Sequence, residues 1–205
     1  MAISLPSLSC LPSSAPDANL PLAEVRVDGG IVHQGHFLTV QCDKVALPDG
    51  KITQREYIRH PGAVVILPLF DDGSVLLERQ FRYPLDRVFV EFPAGKIDAG
   101  EDPLVCAKRE LQEETGYTAT DWQFVCTIHN AIAYSDEHLD LYFARGLVAG
   151  PQRLDDGEFL ETFSASLEQL LAWVRSGDIT DVKTIIGAFW LEKLVAGTWT
   201  APHAT

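Results

Sequence analysis

The chain has 205 residues, 46% of them hydrophobic and 22% charged, enough to bury a real core in one large or two small soluble domains. Its net charge of −13 argues against a nucleic-acid surface, because phosphate backbones are bound mainly through clustered Lys and Arg. Cys10, Cys42, Cys106 and Cys126 show no CxxC or Cys/His ligand spacing, so neither zinc nor a disulfide framework is indicated and free thiols are expected. No apolar stretch has the length to span a bilayer, and the N-terminus lacks a basic leader with a sustained apolar core. A bacterial-type cytoplasmic setting without membrane attachment is the expectation.

Residues 1–22 are rich in Pro, Ser and Ala and read as a flexible arm. Three strand-like runs follow at 24–28, 35–45 and 51–59, with Leu47-Pro48-Asp49-Gly50 as a hairpin turn between the last two. They predict a small antiparallel sheet over residues 23–60, too thin to bury both faces alone. It therefore has to pack on the main domain or on a second subunit. Residues 62–69 suit a buried strand, Asp71-Asp72-Gly73 turns the chain into 74–81, and 88–92 forms another short strand. A helix beyond Gly95 is followed by strands at 122–128 and 139–144, the latter alternating apolar and polar residues.

Ser166 and Gln169 form a capping box for a helix over 167–176 that Gly177 ends, and Asp181 starts a last helix running to about Val195, ended by Gly197. These periodicities license an α/β fold. Trp173 and Trp190 stand at helical spacing among Leu and Ile and read as core, as do Cys106 and Cys126 as small apolar residues. The histidines at 33, 36, 60, 129, 138 and 203 show no metal-ligand pattern.

The segment that carries chemistry is residues 95–117, GKIDAGEDPLVCAKRELQEETGY. Pro103 is tolerated only in a first helical turn, Asp102 before it caps free amides, and Gly116 suits the left-handed position that ends a helix. Within that helix Glu110 aligns with Glu113 and Glu114, and Arg109 reaches Glu113 or back one turn, while Leu104, Ala107 and Leu111 face the core. Carboxylates crowded on one short face repel unless cations neutralise them, and hard oxygen donors suit Mg2+, with Mn2+ as a substitute. Gly95 adds an irregular turn where the carbonyl of Ala94 is positioned to join a metal shell. An isolated RExxEE would be an ordinary solvated helix face; the full spacing is what argues for a site.

Gly95, Glu101, Arg109, Glu110, Leu111, Glu113, Glu114, Gly116 and Tyr117 fill every defined position of the Nudix signature, so the chain resembles the Nudix hydrolases. That resemblance implies an α/β/α fold over residues 61–205, a mixed sheet sandwiched between helices. It also implies metal-dependent cleavage of nucleoside diphosphate derivatives. Glu110 and Glu114 would bind metal, Glu113 and the Ala94 carbonyl are further candidates, and Gly95, Glu101, Arg109 and Gly116 would hold helix and loop in position.

Over most of residues 23–197 the chain is similar to ADP-ribose pyrophosphatases. The likeness runs through Arg55-Glu56 after the LPDG hairpin, RQFR at 79–82, EFPAG at 91–95, and Ser135-Asp136-Glu137. It implies hydrolysis of ADP-ribose to AMP and ribose 5-phosphate, a homodimer built on the N-terminal sheet, and substrate contacts from Arg55, Arg82 and, secondarily, Arg79. Ala131-Ile132-Ala133 stands where those enzymes usually carry a proline, which leaves nucleotide sugars, dinucleoside polyphosphates and NADH as alternative substrates. A non-catalytic, ADP-ribose-binding Nudix regulator is the reading from another class. The same resemblance places a metal-binding acid or general base in residues 154–159, with Glu158 near the ligand position and Asp156 near the base; Glu113 and Glu137 are the other acids open to that role.

Overall fold

The computed structural model describes residues 21–201, so nearly all of the N-terminal arm, Cys10 and His203 lie outside the described residues. The chain divides into two compact units, one ending at Arg59 and the other beginning at His60. In the first, β1 (Val25–Gln34), β2 (Thr39–Ala46) and β3 (Ile52–Arg59) form an antiparallel sheet in that order. β1 runs longer than its sequence suggests. It continues past residue 28 through Gly29-Gly30, where Gly29 takes φ 132° and lets the chain lie against Cys42 and Asp43. All ten residues of β1 are exposed within this unit.

The second unit is built around β4 (Ala63–Pro68), which is buried along its whole length. Such a strand needs cover on both faces, and its side chains alternate between two apolar clusters. Val64 and Ile66 pack with Leu76, Ile97, Tyr142 and Ala144 and with Cys106, Ala107 and Leu111 of helix α1 (Pro103–Thr115). Val65 and Leu67 pack with Phe92, Leu141 and Phe143, and with Leu170 and Leu191 from helices α2 (Leu167–Ser176) and α3 (Val182–Val195). This is the α/β/α layering. Fully burying one such leucine contributes roughly 1.5–3 kcal/mol.

The strands of this second unit form two sheets rather than one. β4 pairs in parallel with β9 (Leu139–Ala149), and β7 (Ala94–Lys96) and β8 (Tyr117–Ile128) flank them antiparallel, in the order β7-β4-β9-β8. The second sheet, β10 (Leu160–Ser166), β5 (Ser74–Arg82) and β6 (Arg87–Glu91), is antiparallel throughout and meets the first through a bridge between Leu69 and Val75. β7 and β10 have no counterpart in the sequence reading. β7 is three residues long and contains a glycine, and β10 is a half-polar edge strand whose pattern is too weak to stand out.

The helix ends follow the sequence logic closely. Asp102 accepts from the amides of Leu104 and Val105, Ser166 from Gln169 and Asp181 from Thr184, while Gly116 and Gly177 take left-handed φ of 74° and 83°. α3 ends at Ala196 in a right-handed conformation, with Gly197 at φ 64° just beyond. Cys106 is buried, and Cys126, Trp173 and Trp190 are half-buried against the core. No helix among the described residues is long and apolar enough to cross a membrane.

Candidate active site

Helix α1 presents its acidic side toward the loop before it, and Arg109 organises that side. Its guanidinium donates to both oxygens of Glu101 at 2.9 Å, to Glu110 at 2.7 Å and to Glu113 at 3.0 Å. A fixed fork shared among three carboxylates locks their relative positions and holds Glu101 down to a pKa of about 2, its bond to Arg109 being the main cause. Glu101 also accepts from the Asp98 amide, which closes the loop onto the helix.

Two carboxylates lie deeper. Glu114 is 3% exposed, and one of its oxygens accepts from the backbone amide of Ala94 at 3.0 Å. Glu110 lies against Gly95 so closely that a Cβ there would stand 1.9 Å from its Cδ. Gly95 is therefore required by close approach: any side chain would take the space of the Glu110 carboxylate. Burial pushes Glu110 up to about 7, Arg109 notwithstanding. Burial also raises Glu114 well above the ordinary carboxylate range, and the charges of Glu78, Glu110 and Glu158 add to it.

The stretch after β9 is clasped to the end of α1, and the chain continues from it to Glu158. Gly150 donates to the Gly116 carbonyl, Arg153 to that of Glu113, and the Gln152 side chain to that of Glu114. A Cβ on Gly116 would meet the Gly150 carbonyl at 2.7 Å, a second reason for glycine there. Beyond this clasp Glu158 is half-buried, 3.5 Å from the Gln80 amide, and its charge raises both Glu110 and Glu114. Asp156 is exposed. Glu137 lies on another loop, accepting from Asn130 at 3.3 Å and standing 3.6 Å from His60 Nδ1.

The three arginines separate. Strand alternation puts Glu78, Gln80 and Arg82 on one face of β5 and Arg79 on the other, where Arg79 pairs with Glu161 and lies over the Phe163 ring. Arg82 donates to both oxygens of Glu91 at 2.7 and 2.8 Å, and Lys183 of α3 also contacts Glu91. Burial opposes charge on Glu91, but these two cations hold its carboxyl below the usual range. Arg82, Arg87, Phe89, Glu91, Asp181 and Lys183 line a cavity of about 510 Å3. Arg55 is in the first unit, where it pairs with Glu24 at 2.6 Å. The segment at Ala131-Ile132-Ala133 is a turn closed by the Tyr134 and Ser135 amides on the Ala131 carbonyl, and Ile132 projects from it.

Sequence reasoning missed Glu78. It is fully buried on β5, opposite Glu91 in the β5–β6 register, and neither of its oxygens has a hydrogen-bond partner among the described residues. The available signal was a carboxylate ending the apolar run Ser74-Val75-Leu76-Leu77, which reads as easily as the polar end of an edge strand.

Among the described residues no three His, Cys, Asp or Glu side chains already stand together as a set of metal ligands. The donor chemistry fits a hard divalent cation: buried, mutually repelling carboxylates with one orphaned member need external positive charge to ionise together. The NUDIX domain model matches residues 59–183, which include this whole arrangement up to Lys183. The chain belongs to the Nudix family.

An ADP-ribose pyrophosphatase from Bacillus subtilis (strain 168) is 37% identical over 163 residues, covering 78% of this chain and 88% of the relative. A methanol dehydrogenase activator from Bacillus methanolicus is 36% identical over 166 residues, with the same two coverages. Among solved structures, an ADP compounds hydrolase superposes with a TM-score of 0.77 at 22% identity, covering 85% of this chain and 95% of that one. The fold is therefore that of Nudix pyrophosphohydrolases, and the chain is a hydrolase acting on phosphoanhydrides.

Proposed function

We propose that this Nudix hydrolase cleaves the pyrophosphate of ADP-ribose to give AMP and ribose 5-phosphate, with Mg2+ as its metal and Mn2+ as a substitute. The observation that carries the proposal is the buried acidic face of α1, locked by Arg109 and fitted against Gly95. The likeness to an ADP-ribose pyrophosphatase over most of both chains supports the choice of substrate. Glu110 and Glu114 would hold the cations, with Glu113, Glu158 and the Ala94 carbonyl as further donors. Bound metal supplies charge neutralisation at the pyrophosphate and a more acidic water.

The protein's own groups supply position and a proton acceptor. Water adds to one phosphorus as the bridging P–O bond breaks, the water proton passes to an ionised carboxylate acting as base, and the leaving phosphate takes the bridging oxygen. Arg82 lines the cavity with Lys183; Glu91 takes its Nε and Nη2, so the face of its guanidinium is what it offers, to adenine. Arg55 would act from the N-terminal sheet. Arg79 has the weakest claim, since it stands on the opposite face of β5 from Glu78 and Arg82, beside Glu161 and Phe163. Product chromatography over ADP-ribose, ADP-glucose, GDP-mannose, NADH and diadenosine triphosphate, with each metal, tests this reading. ADP-ribose is expected to turn over fastest with AMP as product; preference for any other compound replaces it.

The likeness to a methanol dehydrogenase activator favours a second reading, in which the chain acts on behalf of a partner enzyme. Turnover of free ADP-ribose at ordinary enzymatic rates would make that secondary.

The loop acids can be told apart by kinetics. The charge of Glu158 raises both Glu110 and Glu114, which sets it beside the proposed ligands, so Glu158→Gln is expected to raise the metal concentration giving half-maximal rate. If Asp156 is the base, Asp156→Asn lowers kcat at unchanged metal dependence. Both variants behaving as wild type would leave the loop a solvated turn and move the base to Glu113 or Glu137.

The sheet of residues 23–60 also predicts a dimer. Val25, Val27, Ile31, Val32, Phe37 and Ile52 are all more than half exposed within their unit, an apolar surface that a second copy would cover. Light scattering at micromolar concentration is expected to give twice the 22.6 kDa chain mass; a fully active monomer would refute this.

A further inference from the structure

Glu78 is a buried carboxylate with neither oxygen hydrogen-bonded among the described residues, and no other described side chain shares that condition. An unpaired carboxylate is far costlier to bury than the apolar residue that would fill the same place beside Leu76. Either a proton or a cation has to neutralise it, and a cation would also give its two oxygens a partner. The protein cations nearby are already engaged: Arg82 is bidentate on Glu91, and Lys183 is shared between Glu91 and Asp181. The other charged groups that act on Glu78 are acids, Glu91 across the β5–β6 pair and Glu158 from the clasped loop.

Leu76, on the same face of β5 as Glu78, packs with Cys106, Ala107 and Leu111 of α1, and the charge of Glu78 helps to raise Glu114. Gln80, one step along the same face of β5, reaches Glu158. The row Glu78, Gln80 thus borders the acidic face of α1 from the sheet side. We propose that Glu78 supplies a further oxygen ligand to a divalent cation held by Glu114, so that the metal centre is built from strand β5 as well as from the Nudix helix. This rests on the metal reading given above.

A strand donor changes what the cation does for the fold. It would tie β5 to α1 through charge, and the orphaned oxygens would be satisfied only in the loaded protein. The expected consequence is seen without any turnover. Mn2+ binding to substrate-free protein, followed by electron paramagnetic resonance, is to be compared for wild type, Glu78→Gln, Glu78→Asp, Glu114→Gln and the surface control Glu161→Gln.

Glu78→Gln is expected to lower Mn2+ affinity on the order of tenfold or more, as losses around a metal centre typically do, and to shrink the rise in melting temperature that Mn2+ produces. Glu78→Asp, one methylene shorter, is expected to weaken binding by less and carries the test if the Gln variant does not fold. Glu161→Gln should bind as wild type. Unchanged Mn2+ affinity in folded Glu78 variants, with Glu114→Gln impaired, overturns this inference alone. A wild-type protein that takes up no Mn2+ overturns it together with the metal reading.

Discussion

Glu114→Gln is expected to leave a folded protein with turnover reduced on the order of a hundredfold or more, the scale of losses when a metal centre is disturbed. The substitution keeps the volume of a side chain that is 3% exposed, and the amide oxygen of Gln can still accept from the Ala94 backbone as the carboxylate does at 3.0 Å. Only the charge and one strong donor oxygen are lost. The variant without metal should be at least as stable as wild type, because the carboxylate it replaces is buried and repelled by Glu78, Glu110 and Glu158. Steady-state kinetics and thermal melting of the same preparations check both halves. A folded Gln variant with near-wild-type rates would remove Glu114 from the metal site and with it the central assignment.

The arrangement of these side chains on α1 was legible in the sequence because each of its parts is local. Pro103, Asp102 and Gly116 mark the ends of one helix, and spacing alone then stacks Glu110, Glu113 and Glu114 on a face with Arg109 among them. The two apolar clusters around β4 were legible for the same reason, since a fully apolar strand must be covered twice. What the sequence withheld depends on pairing between distant strands. Glu161 stands opposite Arg79 only because β10 aligns with β5, and β10 itself was not foreseen. Alternation along β5 separates Arg79 from Arg82, and adjacency in the RQFR run concealed it. Glu78 was invisible for a further reason. Whether a carboxylate at the end of an apolar run is solvated or sealed depends on how β6 pairs with it and on α1 and the loop carrying Glu158, the last two distant in sequence.

The cluster around Glu78 also makes the metal-free protein respond to pH in a direction that can be worked out. Burial pushes Glu78 up to about 8 and Glu110 up to about 7, and Glu114 also lies well above the ordinary 4.5. Facing Glu78 are Glu91 from β6, Lys183 from α3, Arg82 on its own strand and Glu158 from the loop; the cations oppose its rise and the acids add to it. Raised folded-state values mean that the folded protein holds protons which the unfolded chain has already released. Stability from these groups is full below about 4.5 and is lost as pH climbs toward 7 and 8. Glu101, held down to about 2 by Arg109, has the opposite sign, but its loss lies below 4.5 and outside this window. Chelator-treated protein is therefore expected to melt several degrees lower at pH 8 than at pH 5, given that about 1 kcal/mol moves the midpoint of a domain this size by roughly 2–4 °C. Added Mg2+ should restore most of the loss at pH 8 and little at pH 5, because the cation binds the ionised carboxylates and stabilises the folded state in proportion to that binding. Calorimetric melting at pH 5, 6.5 and 8, with and without Mg2+, measures it. A metal-free midpoint that holds level or rises from pH 5 to 8 would mean that these carboxylates ionise freely where they sit, and that the site does not depend on a cation for its charge balance.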